Sequence, residues 1–337
     1  MTKRFWSALE WLKANLTWSI PAAMLLGLAF GAVVKADFLK ALILPLTFLM
    51  VYPMMVNLQI KKVLSGHDYK LQLTALLINF GIVPFVAFAI GRFLLADKVF
   101  AALGLLLAAT LPTSGMTISW TGFARGNLDA AIKMAVIGLI IGSLATPLYA
   151  EWWMGTVVEV PLAKIFQQVA TVVFVPLILG YATQRFIVKR FGVKRYRQDF
   201  KPRFPLFSTL GVLGIVFSAI ALKAETILSN PLGLLLMFVP LILFYGVTFV
   251  LGTVVGRSFF GRDDAIALIY GVAPKNLSIA LAIAMNAFGQ QGAEIALVIA
   301  LAYVIQIQTS AWCNKFVDRC FGAREPVEAP ALAGEGA

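Results

Sequence analysis

The sequence predicts an all-α polytopic membrane protein: ten transmembrane helices, built as two inverted five-helix repeats with helices 4 and 9 discontinuous. Three observations predict it. Of 337 residues, 60% are hydrophobic and only 13% are charged, against roughly 25% charged in a soluble domain; mean hydropathy is +0.88. Apolar windows of about 20 residues, the length that crosses a bilayer, recur ten times. Prolines repeat in register between the two halves of the chain.

The ten windows fall at 17–34, 38–59, 71–95, 99–124, 128–149, 160–183, 205–224, 231–256, 264–288 and 293–316. Residues 1–16 precede them as an interfacial N-terminus, with Phe5, Leu9, Leu12 and Leu16 on one face. Met1-Thr-Lys-Arg4 runs into Phe5-Trp-Ser-Ala-Leu-Glu10 rather than an apolar core, so no cleavable signal is expected. The first five-helix repeat covers 17–149. The second opens with helix 6 and a basic loop over 150–204 and continues over 205–316. Residues 317–337, rich in Ala, Gly, Pro and Glu, read as a disordered tail.

The net charge of +12 would suggest nucleic acid in a soluble protein. Here the positive-inside rule accounts for it, and no nucleic-acid partner is expected. With the N-terminus inside, 21 of the 28 Lys and Arg fall on the inner side, counting Lys133 with the loop between helices 4 and 5; six fall outside, and Lys275 remains. Both termini are therefore placed in the cytoplasm and the protein in the plasma (inner) membrane. Gln184–Arg197 is the basic loop that joins the halves; a topogenic role and anionic-lipid binding both fit it.

Pro21, Pro45, Pro84 and Pro112 recur as Pro176, Pro205, Pro240 and Pro274, at offsets of 155, 160, 156 and 162 residues. An ordered set of four points to duplication. Five helices per half makes the halves inverted in the membrane, an architecture of secondary transporters whose site lies where discontinuous helices meet near the midplane.

Two helices carry the chemistry. The fourth contains Ala109-Thr-Leu-Pro-Thr-Ser-Gly-Met-Thr-Ile-Ser-Trp120; the ninth contains Pro274-Lys-Asn-Leu-Ser278. Pro112 and Pro274 each remove a helical N–H and mark helix breaks. Unwound backbone at that depth is tolerated inside protein or against a water-filled cavity. Lys275 lies about 15 Å of helix rise from either end of its span, too deep for easy snorkelling, and an unused charge there is costly. Thr113, Ser114, Thr117, Asn276 and Ser278 are candidate polar partners for a substrate, with Tyr52, Gln306 and Gln308 as weaker ones. Half-helix N-termini offer N–H groups to an anion. The bland alternative is that the hydroxyls bond back to carbonyls and cushion a kink. No Asp or Glu lies mid-span, so Lys275 is neutral, pairs with an anionic substrate, or cycles between the two.

No metal site is expected: His67 stands alone in a polar loop, and Cys313 and Cys320 read as inert thiols. An enzyme is not expected, since no His, Asp, Glu or Cys constellation lies at the midplane. No cofactor is expected either, and no Gly-x-x-x-x-Gly-Lys-Ser/Thr loop is present to couple ATP.

Over about residues 15–316 the chain resembles the bile/arsenite/riboflavin transporter superfamily. Ala124-Arg-Gly-Asn127 resembles the bile acid:sodium symporter signature. Leu44-Pro-Leu-Thr-Phe-Leu-Met-Val-Tyr-Pro-Met-Met55 is similar to the arsenical-resistance permeases, and Met116 and Trp120 fall where those permeases have Met and Trp. Asn276, Ala280 and Ala282 fit their ninth-helix pattern. The resemblance also shows departures. Thr113 stands in place of the permeases' cysteine and Ser278 in place of their glutamate, so thiolate capture of As(III) is absent there. The symporters' ninth-helix Glu and Gln fall on Gly271 and Lys275, and their fourth-helix Ser-Asn pair on Thr117 and Ile118, so the oxygens a sodium ion needs are mostly missing. The resemblance implies a secondary active transporter of a small anionic or polar solute or oxyanion; the departures imply that it is sodium-independent, with Lys275 as fixed cation in place of the sodium ion and H+ or no ion coupled. The alternative is an organic anion carrier coupled to Na+ or H+.

Overall fold

The computed structural model describes residues 3–58, 68–155, 160–229 and 231–322; His67 and most of the expected tail lie outside them. The described chain is all helical. In order, the helices are α1 (Lys3–Ala14), α2 (Leu16–Val33), α3 (Ile43–Val56), α4 (Tyr69–Leu76), α5 (Val83–Leu94), α6 (Val99–Thr110), α7 (Gly115–Phe123), α8 (Leu128–Met154) and α9 (Leu162–Val169). The second half continues with α10 (Val175–Arg195), α11 (Phe204–Leu222), α12 (Ala224–Ser229), α13 (Pro231–Leu236), α14 (Phe238–Phe259), α15 (Arg262–Val272), α16 (Leu277–Ala287) and α17 (Gly292–Phe321). Seven described helical stretches are long and apolar enough to cross a membrane, or eight if α1 and α2, bent by 100°, form one span. The stretches 99–124 and 264–288, expected as single spans, are each two shorter helices, α6 and α7, α15 and α16, none long enough to cross a membrane alone.

Proline places further irregularities. π-helical segments at Leu77–Ile82 and Ala170–Phe174 lead into α5 and α10, just before Pro84 and Pro176. A proline lacks the N–H that an α-turn needs, and a π-bulge absorbs the misfit. Two bundles result. α11 packs along α2 and α3, and α3 along α10. In the other bundle α5 packs on α6, α14 on α15, α17 on α6 and α16, and α8 on α6 and α7. The bundles meet where α16 touches α3 and α9, and α17 touches α2 and α11. Polar links cross this boundary: Asn286 Nδ2 donates to Thr47 Oγ1 at 3.1 Å, and Lys223 lies 3.7 Å from Glu294.

One stretch differs from the sequence expectation. α10 does not end near residue 183: helical backbone continues to Arg195, broken by a kink at Gly192, before a π-turn at Tyr196–Phe200. Tyr196 is buried, and its hydroxyl is bonded to the Val56 carbonyl at 3.1 Å and to Asn57 Oδ1 at 3.2 Å, tying the segment to the end of α3. Lys133, which the charge count groups with the loop between helices 4 and 5, lies inside the expected span 128–149, in the second turn of α8, 7% exposed, with its ammonium 2.6 Å from Asp68 Oδ1. Burial pushes the Asp68 carboxyl up, but hydrogen bonds from Lys133 and Gln72 outweigh it and hold the group below its ordinary range. A depressed carboxylate stabilises the fold above its unfolded pKa, about 3.9, and that contribution disappears as pH falls through the folded value. We expect Lys133→Met to lower the melting temperature in detergent at pH 7, since it leaves Asp68 partly buried and uncompensated. The deficit should shrink toward pH 3; a pH-independent deficit would count against the pair.

Candidate transport site at the crossing of the broken helices

The two breaks meet. Pro112 and Lys275 form an isolated antiparallel bridge: Thr113 N–H donates to the Pro274 carbonyl at 3.3 Å, and Asn276 N–H to the Leu111 carbonyl at 2.7 Å. Each unwound segment thus supplies the partners that the other's helix lost. Gln306 of α17 completes the arrangement. Its Oε1 accepts from Lys275 N–H at 2.7 Å and its Nε2 donates to the Lys275 carbonyl at 3.2 Å, so one amide satisfies both backbone groups of one residue. Tyr245 of α14 donates its hydroxyl to the same Oε1 at 2.8 Å, and Gln306 Nε2 lies 3.6 Å from the Met116 sulfur. Side chains of α7 and α14 thus meet the α17 amide that holds the Lys275 backbone.

Lys275 is wholly buried. Its ammonium turns toward the π-segment before α5, donating to Asn79 Oδ1 at 3.0 Å and to the Val272 carbonyl at 2.6 Å. Asn79 Nδ2 in turn donates to the Gly271 carbonyl at 2.8 Å. Both carbonyls belong to the last turn of α15, where carbonyls lose their helical partners and the helix dipole is negative. The Lys275 Nζ is therefore held between two oxygens at a half-helix C-terminus. A small cleft, with room for about one water, is lined by Gln72, Asn79, Thr113, Met134 and Gly138 beside these groups.

Thr113, Ser114, Thr117, Asn276 and Ser278 fall at the same crossing in several roles. Ser114 caps α7: its hydroxyl accepts from Met116 N–H at 3.1 Å, and Thr117 Oγ1 accepts from Ser114 N–H at 3.1 Å, a capping box. Asn276 caps α16 through Ile279 N–H. Thr113 adopts φ 59°, costly for a β-branched residue, and its Oγ1 lies 2.7 Å from the Pro112 carbonyl and 3.1 Å from that of Met134. Ser278 is half-buried and 2.6 Å from the Tyr303 hydroxyl. Both helix N-termini are thus capped by their own side chains. Ser114, Met116 and Ser278 are the partly exposed members of the set.

The sequence matches the model of the sodium bile acid symporter family over residues 44–230, more than half of the chain. The chain belongs to that family. Among its relatives, an arsenical-resistance protein Acr3 from Alkaliphilus metalliredigens is 27% identical over 78% of this chain and 77% of its own length. The Acr3 protein of Corynebacterium glutamicum is 22% identical over 73% and 70%. Sodium/bile acid cotransporter 7-B of Xenopus laevis is 27% identical over 50% and 49%. This member of the symporter family is a multi-pass membrane transporter and not an enzyme.

Tyr52 stands apart from the crossing: it sits on α3, with its hydroxyl 2.7 Å from Thr183 of α10. Asn79, Tyr245 and Tyr303, which touch the breaks, were not among the sequence candidates. Asn79 had a signal, an amide within the apolar run 76–90. Tyr245 and Tyr303 had none, since buried tyrosines in apolar helices ordinarily serve packing.

Proposed function

We propose that this protein moves a small polar or anionic solute, such as an arsenical oxyanion, across the plasma (inner) membrane by alternating access, without sodium. Lys275 is its fixed cation. The observation that carries this reading is the oxygen cage: Asn79 Oδ1 and the Val272 carbonyl hold the ammonium at the C-terminal end of α15. Transporters use such half-helix ends and unwound carbonyls to coordinate coupling cations. A tethered ammonium occupying that place leaves no need for a sodium ion. The substrate is met on the partly exposed side by Ser278, Ser114 and Met116, with Tyr303 behind them, while Thr113, Thr117 and Asn276 hold the backbone in shape. Counting α6/α7 and α15/α16 as one crossing each gives ten crossings in two inverted five-helix repeats, with both termini cytoplasmic. The α2–α3–α10–α11 bundle moves relative to the bundle bearing the crossing.

The test is flux in proteoliposomes with sodium and pH gradients imposed separately on arsenite, arsenate and a set of organic anions. We expect saturable flux that is unchanged when choline replaces sodium. Sodium-driven flux of an organic anion would replace this reading with the sodium-coupled one that the family's description carries.

A further inference from the structure

The positive charge at one end of the molecule is divided unevenly between the two bundles. At the face where α1 begins and α17 ends, the α2–α3–α10–α11 bundle with α1 carries eleven Lys and Arg against two acids, counting Lys3, Arg4 and Lys13 of α1 and the eight from Arg185 to Arg203. At the same face the crossing bundle carries seven against five among the described residues. Moreover, its charges are partly spent internally, in the Lys133–Asp68 pair and in Arg262 with Asp263 and Asp318. A topogenic signal needs only the count of charges. It does not need them held in place.

Here they are held. The buried Tyr196 hydroxyl, the Gln184 amide and the Asn57 amide bind the stretch around Tyr196 and Lys201 to the end of α3. α10 continues as helix through this region, turning at Gly192, where φ is 81°. Arg185, Lys189, Arg190, Lys194 and Arg197 are left exposed on the built surface. α1 lies at 100° to α2 and is fastened to the same end by Trp6, which stacks edge-on against Phe207 at 5.8 Å and under the Arg203 guanidinium at 5.0 Å. Trp11 and Trp18 are exposed beside it, as aromatic side chains are at a membrane–water boundary.

We propose that this end of the α2–α3–α10–α11 bundle is a preformed docking platform for anionic lipid headgroups, and that it fixes that bundle to one leaflet. A fixed polybasic surface next to an amphipathic helix in the membrane plane has the chemistry of an anionic-lipid site. The proposal is independent of the solute and of the coupling ion.

The test uses the full-length protein in detergent with phosphatidylglycerol or phosphatidylcholine added. Lipid retention is read by native mass spectrometry and stability by thermal melting. The triple variant Arg190→Gln/Lys194→Gln/Arg197→Gln removes three platform charges. Lys70→Gln/Arg257→Gln/Lys315→Gln removes three exposed charges from the crossing bundle. Wild type should retain phosphatidylglycerol over phosphatidylcholine and melt several degrees higher with it. The platform variant should lose about tenfold or more of that retention and the control variant less than about threefold. Melting of the platform variant in phosphatidylcholine should match wild type, which separates lost binding from lost folding. Equal losses in both variants would mean that net charge alone attracts the lipid. Undiminished retention in the platform variant, or an equal rise in melting temperature with inorganic phosphate, would likewise overturn the proposal.

Discussion

Lys275→Met is expected to abolish flux while leaving most of the protein folded. Methionine keeps much of the volume of the lysine stem but strands Asn79 Oδ1 and the Val272 carbonyl, the two oxygens that the ammonium satisfies. A buried acceptor left without a partner costs about 1–3 kcal/mol. Removing the buried charge offsets part of this, because its own desolvation no longer has to be met. Net destabilisation should therefore stay small, while flux falls by about 100-fold or more, the order expected when a charged group central to a site is lost. Lys275→Gln separates fixed charge from packing. It returns an oxygen to the cage, and on the proposed reading its residual flux becomes stimulated by sodium, which wild type ignores. The experiment is proteoliposome flux with sodium exchanged for choline. A Lys275→Met protein as active as wild type would remove the ammonium from the mechanism altogether.

Gln306→Leu is the second substitution with a large expected effect, and it acts through structure. One amide serves the Lys275 N–H, the Lys275 carbonyl and the Tyr245 hydroxyl, all buried. Leucine leaves three groups unpaired, and a loss of roughly 3–5 kcal/mol is expected on the scale of broken buried networks. The melting temperature in detergent should fall sharply. Gln306→Glu keeps the acceptor for Lys275 N–H and Tyr245 but loses the donor to the Lys275 carbonyl, so it should lie between leucine and wild type. If leucine melts with wild type, the unwound segment is held by the Pro112–Lys275 bridge alone.

The breaks were legible in the sequence because proline and a lone mid-span lysine violate local rules that apolar helices otherwise obey. Pro112, Pro274 and Lys275 announce themselves in a single strand of text. Their meeting matches the expectation, drawn from the recurring prolines, that the two discontinuous helices come together. What surrounds them was less legible. Asn79 is distant in sequence from Lys275, and nothing local says that a π-bulge before Pro84 aims it at α15. Gln306 read only as a weak candidate, because a lone glutamine in a helix satisfies a helix–helix contact as easily as a backbone peptide. The direction of Lys275 was hidden for the same reason: its charge is a property of the residue, its acceptors are a property of the fold. Lys133 falls inside the expected span 128–149, but its pairing with Asp68 was not legible, because 65 residues separate the two in the chain.

The Pro112–Lys275 bridge also has a consequence for how the protein is made. Its partners lie 163 residues apart in the chain. At synthesis rates of about 5–20 residues per second, the α6/α7 break leaves the ribosome roughly 8–30 s before the α15/α16 break that completes it. During that interval the Leu111 carbonyl and the Thr113 N–H have no native partner. The nascent α6/α7 segment is then expected to stay beside water, the insertion machinery or a chaperone rather than disperse into lipid, and the first half made alone should be a substrate for quality-control proteolysis.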